Sequence, residues 1–383
     1  MNRVLKLGLG LMILLLLALT TGCWNLREPD ELSFIIAAGL DYNEEGQLEV
    51  TSQIAVPAAI SGSPEGGSSN KKSFVVVSGT GKNVMDAGQS LQAQLPRTLF
   101  YAHRQTILIG ERLAERGVGS LTDMFIRNPK SEMRSSILVV KGGLAKDVLE
   151  IEPIFDPYIS VMLVREQSAV GLKPYYLRQF LADELCPTMQ PLLPAVSIMP
   201  AGRYKYVGSA ILNKHDDLKL VGYLNNNESS YANWIIGRQT GLTITAPVEG
   251  KDEVSLSVKS LSNKLKFEMS DPPRIIVTLK GSGVLTENNS KLDPAESSQL
   301  VQIEQALSRA TQEEVQKMVN KVQRQYRADI FGIGEFIHHE HPGRWKTFRS
   351  KWSRMFPTLR IEVNVELKCK DPGQTNRAID SML

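Results

Sequence analysis

QTILIGERLAERGVGSLTDMFIRNPKSEMRSSILVVK, residues 105–141, decides the fold class. Residues 105–110 (QTILIG) form a continuous apolar run of strand length, and residues 134–141 (RSSILVVK) form another. Between them, Leu113, Val118, Leu121 and Phe125 recur at helical spacing, which predicts one helix over 111–126 that is broken near Asn128-Pro129. A strand, a helix and a second strand in succession imply a mixed sheet covered by helices.

The flanks extend this pattern. Residues 33–41 (SFIIAAGLD) and 47–56 (QLEVTSQIAV) read as two strands joined by a turn at Asn43-Glu44-Glu45-Gly46. Residues 61–72 (SGSPEGGSSNKK) carry no large apolar side chain and read as a surface loop. A third strand follows at 73–79, then a helix over 83–95 with Val84, Ala87, Leu91 and Leu95 inward and Pro96 as its stop. Downstream, helices are expected at 157–170 and 174–185, each after a proline suited to a helix start. Residues 186–202 hold Pro187, Pro191, Pro194 and Pro200, and a domain boundary is placed at about 200.

Beyond it the pattern changes. Residues 207–212, 218–224, 240–246, 254–260, 264–269 and 274–279 are short strand-like pieces, as in the alternating KLKFEM of 264–269. This implies a small antiparallel, sheet-rich unit. Asp293-Pro294 then reads as an N-cap and first helical residue. Leu300, Ile303, Leu307, Ala310, Val315, Met318, Val322 and Tyr326 make the core-facing stripe of a long helix. Residues 344–356 read as a second, basic helix, and 359–370 (LRIEVNVELKCK) as a strand with one buried face, Cys369 in phase with it. The expected fold class is α+β. It comprises three consecutive mixed α/β domains with largely antiparallel or mixed sheets, at 23–200, 201–290 and 291–383, after a signal peptide at 1–22.

The N-terminus carries the clearest functional signal. Arg3 and Lys6 precede an uncharged apolar stretch, residues 7–19, of about 13 residues, typical of a signal peptide and short of the roughly 20 that span a bilayer. Thr20, Thr21 and Gly22 follow, then Cys23. Small residues ahead of a cysteine suit a peptidase site and make Cys23 the acceptor of a thioether-linked diacylglyceryl group. The segment resembles a lipobox, with Thr20 where an aliphatic is commonest. Two acyl chains anchor stably where one does not. The positive flank places the body of the chain outside the cytoplasm, and Trp24 would sit at headgroup level.

Composition narrows the rest. Of 383 residues, 42% are hydrophobic and 22% charged, so sizeable cores form, and the formal net charge of +3 gives no field that argues for nucleic acid. Three cysteines, Cys23, Cys186 and Cys369, are too few for a disulfide scaffold and make no CxxC pair. His338, His339 and His341 with Glu335 are the one cluster suggestive of a metal, but consecutive histidines do not point one way, and a polar connection between helices is the simpler reading. Ser78-Gly79-Thr80-Gly81-Lys82-Asn83 is an imperfect phosphate loop: Val76 stands where a glycine belongs and Asn83 where Ser or Thr does. Tyr231-Ala232-Asn233-Trp234 reads as core more readily than as a ligand surface. No catalytic residue, metal site or cofactor is expected.

Four blocks carry a family resemblance. Gly22-Cys23-Trp24-Asn25-Leu26-Arg27-Glu28 followed by Leu32 is similar to the start of Ger(x)C-type spore germination lipoproteins, with Asn25 in place of the usual Asp and Pro29 in place of an aliphatic. Residues 97–103 (RTLFYAH) leading into 107–114, residues 220–224 (LVGYL), and residues 329–334 (DIFGIG) with His341-Pro342, Trp345 and Trp352 resemble three further blocks in the same order. The resemblance covers nearly the whole chain. It implies a non-enzymatic C subunit of a nutrient germinant receptor, lipid-anchored through Cys23 on the outer face of the spore inner membrane. It also implies integral-membrane A-type and B-type partner subunits. The alternative from a different class is an extracytoplasmic solute-binding lipoprotein, which requires a cleft between two similar lobes.

Overall fold

The computed structural model describes residues 2–19, 28–56, 72–128, 131–250, 252–270 and 272–373. Helix α1 (Asn2–Leu19) carries the N-terminal apolar stretch. Cys23, Trp24 and the loop at 61–71 lie outside the described residues. Among the described residues no helix is long and apolar enough to cross a membrane.

The first sheet begins with an antiparallel meander of β1 (Leu32–Tyr42), β2 (Leu48–Ala55) and β3 (Phe74–Gly81). Helix α2 (Val84–Gln92) folds back on β3, and the short β4 (Thr98–Phe100) runs parallel to the start of β1. Then come β5 (Thr106–Gly110), α3 (Glu111–Arg116), α4 (Gly119–Arg127), β6 (Ser136–Lys141), α5 (Ala145–Leu149), α6 (Ile159–Ala169) and α7 (Leu177–Leu185). The sheet closes with β7 (Leu192–Met199), β8 (Arg203–Asn213) and β9 (Lys219–Leu224), in the order β3-β2-β1-β5-β6-β7-β8-β9 with β4 beside β1.

Its middle strands β1, β5, β6 and β7 pair in parallel, and both flanks are antiparallel. Parallel strands are buried on both faces, and the continuous apolar runs at 107–109 and 137–140 meet that demand with almost no exposure. Ala87, Leu91, Leu113, Leu121, Phe125 and Phe180 cover one face. Val148, Leu149, Ile159 and Leu163 cover the other.

The second sheet follows α8 (Asn226–Ile236). It comprises β10 (Leu242–Glu249), β11 (Asp252–Glu268), β12 (Arg274–Asn288) and, after a long excursion, β13 (Arg360–Asp371) parallel to β12. The excursion is α9 (Ser297–Lys321), a π-helical turn (Val322–Tyr326), α10 (Ile333–Glu340), α11 (Pro342–Phe348) and α12 (Trp352–Met355). Ile303, Leu307, Val315, Met318 and Val319 of α9 are buried in one core with Val254, Leu256, Val277, Leu279 and Val363 of the sheet. The α+β class with mixed sheets is thus realised.

Several local expectations are corrected. Residues 111–126 are two helices, because Gly117 takes φ 115° and the Asp217 carbonyl accepts from the Val118 and Gly119 N–H groups. The proline-rich stretch holds the buried strand β7. Pro194 lies just before the first residue paired to β6, Ala195, where its missing N–H leaves no gap in that ladder. Asp293 caps a turn, accepting from Ala295 N–H at 2.9 Å, and the helix itself starts at Ser297. The pieces at 254–260 and 264–269 are one strand. A register shift between Val258 and Ser260 moves the apolar phase from even to odd positions, which broke the alternation in the sequence. Residues 344–356 are interrupted by a 3-10 turn at Arg349–Lys351.

Position 200 lies in the turn between the paired strands β7 and β8, and position 290 lies between β12 and β13 of one sheet. The core crosses position 200 as well. Leu192, Ile211 and Leu224 of the first sheet are buried with Trp234 and Val258 of the second half.

Candidate functional site

The motifs singled out in the sequence divide by what they touch. The glycines of residues 78–83 serve packing. A Cβ on Gly79 would run into the Ala87 carbonyl and Leu91 N, and one on Gly81 into Ala87 N, so their absence lets α2 lie directly on β3. Asn83 caps α2, accepting from Asp86 N–H at 2.9 Å. Trp234 is 1% exposed, and its indole donates to the Ser262 carbonyl at 3.0 Å, so it belongs to the core.

The three histidines do not converge. His339 Nε2 lies 2.9 Å from Glu335 and His338 Nδ1 3.6 Å, whereas the His341 ring lies 5.3 Å from Phe267. Cys186 Sγ donates to the second oxygen of Glu335 at 3.3 Å. Among the described residues no group of three or more His, Cys, Asp or Glu side chains is placed to hold a metal ion.

Two of the four blocks that carried the family resemblance meet at the seam between the halves. Residues 329–334 form a hydrogen-bonded knot. The Asp329 carboxylate accepts from Ile333 N–H at 3.1 Å, Gly334 N–H at 2.9 Å and the Trp352 indole at 3.1 Å. Gly332 supplies the φ of 70° that turns the chain into α10. Burial pushes the Asp329 carboxyl up to about 6 against those three donors. The Asp329 carbonyl accepts from Gln190 N–H at 2.9 Å, tying the knot to the segment ahead of β7. Residues 220–224 seat the other contact. The ring of Tyr326 fills the space a side chain on Gly222 would need, and its hydroxyl donates to the Tyr223 carbonyl at 3.0 Å.

Further along the seam, Arg238 reaches Asp183 at 2.7 Å, and the Tyr175 hydroxyl donates to the same carboxylate oxygen at 2.7 Å. Thr240 N–H donates to Gly171 at 2.6 Å and Lys173 N–H to Arg238 at 2.9 Å. These bonds close the junction between the two sheets.

The block at residues 97–103 borders a cavity of about 240 Å³ between α2, α4 and the first sheet. Gln92 holds the block in place. Its amide donates to the Arg97 carbonyl and its oxygen accepts from Leu99 N–H, both at 2.9 Å. Leu99 and Tyr101 line the cavity with Met85, Met124 and Phe125. So does Arg104, 6% exposed, which the sequence reading passed over. Its one sequence signal is a lone charge placed directly before a fully buried strand. Burial pushes Arg104 down to about 10, which leaves it charged at neutral pH.

On the other flank of the sheet, Asp41 accepts from Ala145 N–H at 2.9 Å and Lys146 N–H at 3.1 Å at the start of α5. Burial pushes it up to about 6. Cys23, the expected lipid attachment, lies outside the described residues.

Comparison with known proteins covers the chain in two parts. Residues 25–198 match the family described as spore germination protein N-terminal domain. Residues 207–373 match the one described as spore germination B3/GerAC like, C-terminal. The two matches meet at the β7–β8 hairpin. Among curated relatives from Bacillus subtilis (strain 168), the putative spore germination protein YfkR is 25% identical over 91% of this chain and 92% of its own length. Spore germination protein KC is 25% identical over 98% of each chain. Spore germination protein B3 is 25% identical over 96% of this chain and 98% of its own. The crystal structure of the GerBC protein superposes with a TM-score of 0.59 at 21% identity, covering 87% of this chain and 96% of that one, and so shares the fold.

Proposed function

The chain belongs to the GerAC-type family of spore germination proteins, and from that premise we propose that it is the non-enzymatic C-type subunit of a nutrient germinant receptor. The observation that carries this reading is end-to-end correspondence: relatives named for spore germination align over nearly their whole length and nearly the whole of this chain. In this reading Cys23 is acylated after removal of residues 1–22. The body then stands on the outer face of the spore inner membrane, beside integral-membrane A-type and B-type subunits. The lipobox-like residues 20–23 and the positive flank of Arg3 and Lys6 support the anchor.

A solute-binding lipoprotein would need an open cleft between two similar lobes. The two sheets differ in strand number and order, and the junction between them is closed by hydrogen bonds and the Arg238–Asp183 pair, which argues against that architecture.

Germination of spores lacking this chain tests the proposal. Loss of the response to nutrients with a retained response to calcium dipicolinate is expected. Loss of both responses would place the protein downstream of the receptor and overturn the reading.

A further inference from the structure

The cavity beside residues 97–103 is lined by a buried charge, Arg104, that forms no ion pair among the described residues. The Arg104 guanidinium is fixed from behind. Its Nε donates to Ser135 Oγ at 3.2 Å, Ser135 is itself held by the carbonyls of Arg104 and Glu132 at 2.8 Å, and the Phe125 ring lies 5.6 Å from Cζ. Its Nη2 is buried without a hydrogen-bond partner. The nearby Glu132 carboxylate is engaged elsewhere, accepting from Arg134 N–H at 2.8 Å, with the Arg134 side chain 3.8 Å away. Among the described residues Arg104 has no ion-pair partner within 4.0 Å.

Buried polar groups are almost always hydrogen-bonded, and a buried unpaired charge is costly. A buried guanidinium without an ion-pair partner, lining a cavity of about 240 Å³ among Met85, Leu99, Met124 and Phe125, is what a small amphipathic anion requires.

We propose that this cavity is a binding site for a small monocarboxylate with a hydrocarbon tail, its carboxylate on Arg104 and its tail against the methionines and Phe125. A single guanidinium and mostly apolar walls suit a monoanion. A phosphate dianion would need several donors. At ~30 Å³ per water-sized volume, the space suits roughly six to ten non-hydrogen atoms. This inference stands apart from the receptor reading, because it rests on the cavity and Arg104 alone.

The test is calorimetric titration of the purified full-length chain with straight-chain carboxylates from acetate to octanoate, and with the matching neutral amides. Saturable one-site binding is expected, strongest near hexanoate and at least tenfold weaker for hexanamide. Gly88→Leu is the folded control. Gly88 lines the cavity on α2, and a Cβ there meets nothing nearer than the Tyr101 hydroxyl at 4.0 Å, so leucine fills the space without displacing backbone. It should abolish hexanoate binding while the melting temperature holds or rises. Arg104→Met should erase the preference of acid over amide. Failure of every carboxylate to bind the wild-type chain would overturn the proposal and leave Arg104 solvated by water alone. Hexanoate binding that survives Gly88→Leu, or an acid preference that survives Arg104→Met, would overturn it too.

Discussion

The side-chain oxygen of Gln316 on α9 accepts the backbone N–H of Val363 on β13 at 3.0 Å. It is one rung of four. Gln312 accepts from Val365, Ser308 from Leu367 and Glu304 from Cys369, at 3.3, 3.0 and 2.9 Å. Four helical residues rise about 6 Å and two strand residues about 6.6 Å, so an i, i+4 row on a helix keeps step with alternate N–H groups of a strand that runs in the opposite direction to the helix. β13 is an edge strand. The row satisfies donors that would otherwise offer a template for aggregation.

Replacing Gln316 with leucine should therefore cost about 1–3 kcal/mol, the penalty for leaving a half-buried N–H unpaired. Urea denaturation measures it. A Gln312→Leu/Gln316→Leu chain should also associate at high concentration, seen by light scattering. A neutral effect in both assays would mean the edge is protected by burial alone.

Asp183 and Arg238 form a pair whose side chains are 10% and 17% exposed. Asp183→Ala leaves the guanidinium without its carboxylate across the seam and should destabilise the chain by about 3–5 kcal/mol. Asp183→Leu combined with Arg238→Met should cost clearly less than the single change. If the double variant is as unstable as the single one, the seam depends on something other than this charge balance.

Asp41 and Asp329 both have carboxyls raised from 3.8 to about 6 by burial. A raised folded-state value means the folded chain holds its proton more tightly than the unfolded chain. This stabilisation is full below about pH 4 and is lost as pH rises through about 6. Each group accounts for a change of about 3 kcal/mol. The stability of wild type relative to Asp329→Asn should fall by about that amount between pH 4 and pH 7. A flat difference would show that the three donors to Asp329 offset its burial.

Gly81→Ala should cost about 2–3 kcal/mol, because the new Cβ meets Ala87 N on α2 and the strand cannot retreat from the sheet. Gly88→Ala, facing the cavity on the same helix where a Cβ meets nothing nearer than 4.0 Å, should stabilise by about 0.5–1 kcal/mol. Thermal melts of the two variants should move in opposite directions. Any nucleotide-dependent shift at Gly81 would reopen the phosphate-loop reading.

Cys23→Ala should move the protein from the membrane to the soluble fraction of spore extracts and remove incorporation of labelled palmitate. Retention at the membrane through partner subunits, with palmitate lost, would separate lipidation from assembly.

Short-range signals were legible where one element answers to its own neighbours. The apolar runs at 107–109 and 137–140, the alternation of 359–367 and the stripe from Ile303 to Val322 each report a face that must be buried, and period alone reveals them. The reading slipped where a tertiary partner supplied the missing group. Asp217 split a helix at Gly117, β8 turned a proline-rich stretch into a strand, and one bulge hid the unity of β11. The polar row Glu304, Ser308, Gln312 and Gln316 was visible beside the apolar stripe, but its purpose depends on β13 arriving about fifty residues later.

By itself, then, the sequence determined the alternation of strands and helices, the α+β class and the family, since all of these are written in residues close together along the chain. Tertiary structure decided that β1 lies beside β5, that β13 returns to β12, that the core runs through position 200, and that Arg104 faces a cavity. These depend on which distant surfaces bury each other, and hydrophobic burial is non-directional, so no local pattern names its partner.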